Sequence, residues 1–390
     1  MSGDGTRVRV EVRRDAGRIG PATGPWLRRN QISRFLGVPD PHALAQVVDR
    51  HGATLGWGLV SAVSQITVRM ISFETDEPAH DWLEQRLTTA FAARVRADLD
   101  GQGTSGYRLV NSEGDGLPGL VIDRYREALV VQLGTAPMAA READVMAWLG
   151  QHWSGPVHVV VSESSAKLEG MTAGVRPEPG GVLGFDECGL AFEVPAPPAQ
   201  KTGAYFDQRD NRREVAALAA RDGRPLLDVG CHVGGFALHA RRAGVEVVAL
   251  DRSRSALQHA RENAARNDLR DITFVEADMF EPLRDERLAG PFGTIVFDPP
   301  KLAARRSDVD QALGAATRVI EQLVRRLAPA GHLVVCSCSH HLAREHLDRA
   351  VLAAGDGWTR VAAWGAGLDH PVAPCHREGE YLRVNVYRRT

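Results

Sequence analysis

Two short stretches carry side chains able to do covalent chemistry. One is Asp298-Pro-Pro-Lys301, a carboxylate and an ammonium on either side of a stiff proline turn. The other is Ser337-Cys-Ser-His-His341, in which Cys338 offers a thiolate nucleophile. Each follows an apolar run of strand type, Thr294–Phe297 and His332–Val335. Neighbouring strands would present both to one crevice. A carboxylate at Asp298 can accept hydrogen bonds from an amino group or a ring N–H, which suits the Watson–Crick edge of a flipped base. A thiolate adding to C6 of a cytosine would make C5 an enamine-like carbon able to take a methyl group. Loss of the C5 proton would then expel the cysteine. Cys336, two residues earlier, is expected to be packing.

These groups need a frame. Arg224-Pro-Leu-Leu-Asp-Val-Gly-Cys-His-Val-Gly-Gly-Phe236 reads as a buried strand, a glycine turn and a helix start. Asp228 closes the strand, and Gly230, Gly234 and Gly235 allow a tight turn and a close ligand approach. Val245–Leu250 ends in Asp251, placed for both hydroxyls of a ribose. Phe274–Ala277 ends in Asp278, and Thr294–Phe297 ends in Asp298. Strand ends that each carry an acid, with helical segments between them, predict a doubly wound parallel α/β sheet with its site at the carboxyl edge. Helices are expected over 308–327 and 343–354, a turn at Ala328-Pro-Ala-Gly331, and antiparallel edge strands over 359–363 and 381–387.

Upstream, residues 1–72 alternate short strand-like runs with turns and predict a small β-rich module, with a bulge at Gly56-Trp-Gly58. Residues 73–195 predict an α+β unit with helices over 82–95 and 139–149. Its turn Glu113-Gly-Asp-Gly-Leu-Pro-Gly119 reads as a hairpin connection and lacks the oxygen spacing of a calcium loop. Pro195–Pro198 marks the boundary to a third domain, 196–390. That domain opens with Gln200–Arg212, a polar segment able to fold over a cofactor, followed by a helix from Arg213 to Ala220 capped by Asp207 or Asp210.

The net charge of −2 does not announce a nucleic-acid binder. Arginines crowd the N-terminal region, among them Arg7, Arg9, Arg13, Arg14, Arg18, Arg28, Arg29 and Arg34, and could contact phosphates or form a solvated face. The only lysines are Lys167, Lys201 and Lys301, each inside a motif-like stretch. Guanidinium and ammonium differ in shape and hydration, so Lys201 and Lys301 are candidate site residues. Five cysteines, with no CxxC pair, point neither to zinc nor to a disulfide framework. No apolar run is long enough to cross a membrane and no signal-peptide core is present, which reads as a cytoplasmic protein.

Together these motifs resemble the bacterial 23S ribosomal RNA cytosine-C5 methyltransferases built from an N-terminal PUA domain, a central EEHEE domain and a Rossmann-like methyltransferase domain. The resemblance covers nearly the whole chain. It includes Pro25-Trp26, Ser64–Arg69, Tyr107-Arg-Leu109, Glu113–Asp123, Lys201-Thr-Gly203, Asp207–Arg212, Asp298–Lys301, Ser337–His341, Asp369-His-Pro-Val372 and Tyr381-Leu382. It implies a class I S-adenosylmethionine-dependent Rossmann-like domain, preceded by a small β-rich PUA-like RNA-binding domain and a central α+β domain. It implies Cys338 as nucleophile and Asp298 as the base-recognising acid; Lys301 joins them as a catalytic candidate. Asp228, Gly230, Gly234, Asp251 and Asp278 would surround S-adenosylmethionine, with Tyr205, Gln208 and Arg209 close by and Asp298 at its edge. The implied partner is 23S ribosomal RNA, with no membrane and room for a homodimer. The chain departs from the family at Gly230 and His232, where aromatic residues are usual, at Leu302 in place of Phe, and at Leu313–Arg318.

The same fold with Asp-Pro-Pro also methylates guanine or amino nitrogens, and those enzymes need no cysteine. A non-catalytic RNA-binding protein that keeps the cofactor pocket is a third reading. An NAD dehydrogenase would share Asp251 but leave Cys338 and Asp-Pro-Pro-Lys unexplained.

Overall fold

The computed structural model describes residues 8–178, 180–196 and 204–389. By contacts the chain divides into two compact units. One runs to Leu183 and takes in Leu368–Gly379; the other comprises Gly184–Val194, Ala204–Gly367 and the chain from Glu380 onward.

The first unit opens with a six-stranded sheet in the order β2-β6-β5-β4-β1-β3. Its strands are β1 (Arg9–Val12), β2 (Trp26–Arg28), β3 (Ile32–Leu36), β4 (Ala45–Val48), β5 (Thr54–Val60) and β6 (Ile66–Ser72). Val8, Val10 and Val12 alternate inward, as period-two spacing requires. The expected bulge is present: pairing slips between Trp57 and Gly58. Gly56 has φ +140°, and a Cβ on Gly58 would meet the Val68 side chain and the Arg69 carbonyl.

Next come α1 (Trp82–Arg96) and a five-stranded sheet, order β11-β10-β9-β8-β7. These strands are β7 (Tyr107–Asn111), β8 (Leu120–Arg124), β9 (Leu129–Leu133), β10 (Val157–Val161) and β11 (Gly174–Arg176). Leu59 and Ile71 of the first sheet share a core with Leu83 and Leu87 of α1 and with Ile122, so the β-rich and α+β parts pack as one body. The predicted helix over 139–149 is two helices, α2 (Ala136–Ala140) and α3 (Glu142–His152). They break at Arg141, whose buried guanidinium donates to the carbonyls of Pro41, Pro137 and His42. A third helix, α4 (Glu163–Glu169), follows β10.

The second unit begins with a hairpin, β12 (Val182–Glu187) and β13 (Leu190–Pro195). Phe185 stacks on Phe192 and meets Phe206 edge-on, which places the hairpin with this unit by contacts. Then comes a seven-stranded sheet in the order β16-β15-β14-β17-β18-β20-β19. Its strands are β14 (Leu226–Val229), β15 (Val247–Asp251), β16 (Ile272–Glu276), β17 (Phe292–Phe297), β18 (Leu327–Ser337), β19 (Trp358–Trp364) and β20 (Arg383–Arg389). The intervening helices are α5 (Arg209–Asp222), α6 (Gly235–Arg242), α7 (Arg254–Arg266), α8 (Val309–Val324) and α9 (Arg344–Ala353). β14 to β18 are parallel and β20 inserts antiparallel beside β18. The strand order reverses at β14, the switch point where such sheets open a crevice.

Two expectations change. The predicted turn at 328–331 lies inside β18 as an irregularity: Leu327 pairs with Phe292 and His332 with Thr294, and Ala330 takes φ 54°. Helix α5 starts at Arg209, four residues before the expected Arg213, and no side chain caps it. Its polar first turn is buried and supplies hydrogen bonds to the sheet edge, which is why apolar periodicity did not reveal it.

Candidate active site

The carboxyl edge of the parallel sheet collects the residues singled out in the sequence. Asp228 lies in β14, Asp251 ends β15, Asp278 follows β16 and Asp298 follows β17. The register pairs Val229 with Phe297, and Phe297 with Val335. Asp298 therefore starts its loop beside Gly230 on one side and level with Cys336 on the other. Its amide donates to the Val229 carbonyl at 3.0 Å.

The glycine turn is shaped by close packing. Gly230 and Gly234 have φ of +89° and +92°, where a side chain is strained. A Cβ on Gly230 would lie 2.5 Å from the Asp298 carbonyl oxygen, and one on Gly235 would lie 2.5 Å from Nε of Arg212. His232 also has positive φ, 48°, and its ring meets the edge of Tyr205 with centroids 5.1 Å apart. Burial pulls the His232 imidazole down to about 4, against the raising effect of Asp251, so the ring is neutral near pH 7.

The acids divide by their partners. Both Asp251 oxygens accept backbone amides, from His232 at 3.0 Å and Ser253 at 2.8 Å. Each keeps a lone pair for a ligand hydroxyl. Asp278 accepts from the Phe280 amide. Asp228 is fully buried; its Oδ2 accepts from the Ala237 amide at 3.0 Å, while its Oδ1 has no hydrogen-bond partner among the described residues. Burial, helped by the charge of Asp298, pushes this carboxyl up to about 8. Near pH 7 Asp228 is therefore mostly a neutral acid with a donor to offer.

Cys338 is half-buried, immediately past β18. Its neighbours fix the turn: the Ser339 amide donates to Ser337 Oγ at 3.3 Å, and Ser339 Oγ donates to the Ala303 carbonyl at 2.6 Å. The second bond ties the Ser-Cys-Ser turn to the loop that follows Asp-Pro-Pro-Lys. Cys336 is buried as expected, and burial raises its thiol well above the ordinary value. Lys301 is exposed three residues past Asp298 and makes no hydrogen bond to a described residue. Lys201 and Arg7 lie outside the described residues.

The segment before α5 is folded in. Gln208 is buried and its Nε2 donates to Asp298 Oδ2 at 3.2 Å. Asp207 does not cap the helix; it accepts from the Tyr381 hydroxyl at 2.7 Å. Arg209 is 2 % exposed and reaches Asp210.

Sequence reasoning missed a buried ionic group behind the glycine turn. Glu187 of β12 accepts Arg212 through both oxygens, at 2.9 and 2.7 Å, and meets His239 of α6 at 2.9 Å. Burial alone would raise the Glu187 carboxyl, but the Arg212 charge and the His239 contact outweigh it and hold it at about 2. The signal was available: Leu183, Phe185 and Glu187 alternate in phase, which puts the glutamate on the buried face.

Among the described residues no group of acids, histidines and cysteines could hold a metal, and no helix is long and apolar enough to cross a membrane. The residues present do fit a nucleoside cofactor. Asp251 can take two hydroxyls, the glycine turn opens beside it, and the unpartnered buried oxygen of Asp228 lies in the strand before that turn.

Comparison with known proteins agrees with this architecture. A Methyltransferase domain family matches residues 220–361, and a PUA-like domain family matches 12–73. The ribosomal RNA large subunit methyltransferase of Deinococcus radiodurans is 34% identical over 92% of this chain and 92% of its own. Ribosomal RNA large subunit methyltransferase I of Shewanella amazonensis is also 34% identical, over 93% of this chain and 95% of its own. A solved structure described as a methyltransferase complexed with SAH superposes with a TM-score of 0.81 at 17% identity, covering 97% of this chain and 99% of that one. A SAM-dependent methyltransferase from Streptococcus mutans gives 0.78 at 16% identity, with the same coverage. The structural matches show the shared fold, a PUA-like β domain, a central α+β domain and a Rossmann-like methyltransferase domain. By its similarity over nearly the whole length, the chain belongs to the ribosomal RNA large subunit methyltransferase I family.

Proposed function

We propose that this protein transfers a methyl group from S-adenosylmethionine to C5 of a cytosine in 23S ribosomal RNA. The observation that carries the reading is the juxtaposition of two strand ends: Cys338 after β18 and Asp298 after β17, with Ser339 tying the two loops together.

When bound, S-adenosylmethionine supplies an electrophilic methyl group. Asp251 would hold the ribose hydroxyls, and Asp228, Gly230, Gly234, Asp278 and Tyr205 would line the remaining cofactor site, with Arg209 behind them. Cys338 would add as thiolate to C6 of the target base, forming an S–C6 bond and moving electron density to C5. Asp298 would meet the changing charge at N3 and the amino group, which lowers the cost of that addition. With C5 methylated and S-adenosylhomocysteine as the by-product, transfer of the C5 proton to water would drive electrons back and break the S–C6 bond, restoring the thiolate. Lys301, the catalytic candidate exposed in the turn after Asp298, would meet an RNA phosphate beside the target base. The exposed Arg13, Arg18 and Arg28 of the PUA-like domain would add phosphate contacts. The reading implies a cytoplasmic enzyme; it also allows a homodimer, which sedimentation of the purified chain decides.

The test is methyl transfer from labelled S-adenosylmethionine to unmodified, deproteinised large-subunit ribosomal RNA, with nucleoside mass spectrometry. Label in 5-methylcytosine supports the reading. Label in a guanosine would overturn Cys338 as nucleophile and leave the cofactor site standing.

A further inference from the structure

The stretch after Asp-Pro-Pro, Lys301-Leu-Ala-Ala-Arg-Arg306, carries three cations on a backbone that is pinned at both ends. Leu302, one of the departures from the family, is half-buried against the core of the second unit, and Ala303 is buried within it. The Ala303 carbonyl accepts the Ser339 hydroxyl at 2.6 Å, which sets the stretch beside the turn that carries Cys338. At the far end, the Asp308 amide donates to the Arg305 carbonyl at 3.1 Å, and the Arg305 amide donates to Asp308 Oδ2 at 2.9 Å. Lys301, Arg305 and Arg306 are all exposed. Their cationic groups form no hydrogen bond or ion pair with a described residue. Exposed arginines elsewhere on this unit are often neutralised in place: Arg254 by Glu276, Arg287 by Asp285 and Arg360 by Asp348. The acids that close the stretch serve a helix start instead. Asp308 takes the Arg305 amide and the Ser307 hydroxyl, and these, with the Arg305 charge, hold its carboxyl below the usual carboxylate range. Asp310 lies in the first turn of α8, where the helix end favours an anion.

We propose that residues 301–306 are a phosphate clamp, in which Lys301, Arg305 and Arg306 bind backbone phosphates of the single-stranded RNA segment that carries the target base. A base that meets Cys338 must leave its stack, and the strand around it is then held by no duplex. Cations on a pinned backbone beside the reacting turn can hold that strand, and the pinning lowers the cost of ordering them. The guanidiniums at 305 and 306 suit phosphate through their paired N–H donors. Phosphate contacts position an RNA and carry no sequence information, so the clamp sets affinity and register and leaves the choice of nucleotide to other residues. The assignment rests on the proposed methyl transfer to RNA and deepens it, because it adds Arg305 and Arg306 to the site and makes the flanking strand part of what is recognised.

The experiment measures the Kd of the full chain for a labelled, cytosine-containing single-stranded RNA of about 12 nucleotides, across a range of salt concentrations. It compares wild type with Arg305→Gln/Arg306→Gln, with Arg305→Lys/Arg306→Lys, and with Arg287→Gln/Arg360→Gln, which removes two charges elsewhere on the same unit. Each phosphate contact on a single strand adds about 0.7 to the slope of log Kd against log salt. The glutamine pair at 305 and 306 should therefore lower that slope by about 1.4 and weaken binding about tenfold. The Kd for S-adenosylhomocysteine should stay within about twofold of wild type. The lysine pair should keep the wild-type slope, and so should the pair at 287 and 360. A slope for the glutamine pair equal to wild type would overturn the proposal and make the stretch a solvated face. An equal loss of slope in the pair at 287 and 360, or in the lysine pair, would overturn it too. Thermal melts identify a double variant that has lost its fold; the single variants then carry the test, each with a slope lowered by about 0.7. The nucleoside that takes the label in methyl transfer reads the function separately. If wild-type label appears in a guanosine, the cytosine reading fails while the same slopes still decide the clamp.

Discussion

The two units treat buried charge differently. In the first, Asp123, Asp115 and Glu169 each meet an arginine. Arg108 and Asp123 sit directly opposite each other on β7 and β8 and form paired bonds of 2.8 and 3.0 Å. Arg94 grips Asp115 at 2.7 and 2.8 Å, and Arg69 meets Glu169 at 2.9 Å. In the second unit, Glu187 is matched in the same way, but it lies behind the glycine turn. At the sheet edge the rule lapses. Asp228 is as buried as Asp123, yet among the described residues it has one amide donor, one unpartnered oxygen and no arginine hydrogen-bonded to it. Where acids serve the fold, their charge is neutralised on the spot. At the sheet edge, bonding capacity is left unspent, as a ligand site requires.

The largest expected effect is on the chemical side of that contrast. Cys338→Ala removes the proposed nucleophile from a half-buried turn and leaves the surrounding packing intact. Methyl transfer should fall by about 10⁴-fold or more, while S-adenosylhomocysteine binding and the melting temperature stay near wild type. A variant that keeps a tenth of wild-type turnover would remove Cys338 from the mechanism.

On the structural side, Arg108→Met tests whether the paired acids carry stability. It removes the guanidinium that pairs with Asp123, which is fully buried. Unpairing a buried charge costs about 3–5 kcal/mol, to be read as a drop in denaturant midpoint. A loss under about 1 kcal/mol would mean that water or another donor replaces the guanidinium, and the contrast between the units would weaken.

Glu187 gives a pH signature with a defined sign. Its folded carboxyl is held at about 2 against an ordinary value of 4.5. Its contribution to stability is therefore present above about 4.5 and is lost as pH falls toward about 2. Glu187→Gln should be less stable than wild type at neutral pH, with the gap narrowing across that acid window. Calorimetry at several pH values checks it, and a gap independent of pH would mean that Glu187 acts through shape alone.

How much of this was legible in the sequence follows from which interactions are local. The acids at the strand ends, the glycine turn and the Ser-Cys-Ser motif were readable because each is a short-range pattern tied to one element. Asp-Pro-Pro after an apolar run needs no tertiary knowledge to be placed at a sheet edge. The first turn of α5 was misplaced because Gln208, Arg209, Asn211 and Arg212 are buried polar residues, and periodicity arguments weigh only apolar ones. Their burial depends on partners far away in the chain, Gly365 for Asn211 and Glu187 for Arg212. The break at Arg141 has the same origin, since the carbonyls of Pro41 and His42 that hold its guanidinium are remote in sequence. The irregularity in β18 was hidden because Pro-Ala-Gly looks the same in a turn and in a bulged strand.

The effect expected to be smallest at pH 5 sharpens the comparison most. Asp228→Asn replaces a carboxyl held at about 8 with a neutral group of the same shape. In the native state the carboxyl keeps its proton up to about 8; in the unfolded chain it loses it near 3.8. Between these values the native state binds the extra proton, so this group's contribution to stability declines as pH rises through the window. At pH 5 the variant should sit within about 1 kcal/mol of wild type, because a neutral acid is exchanged for a neutral amide and the Ala237 amide keeps an acceptor. Toward pH 9 the wild type must carry a buried charge with one donor, and the variant should become the more stable of the two. Denaturant unfolding of both proteins from pH 5 to pH 9 measures the crossing. The same exchange at Asp123, whose charge is matched by Arg108, should destabilise throughout that range. Parallel curves for Asp228→Asn and wild type would mean that the edge acid is neutralised in the fold after all, and that the two units handle buried charge alike.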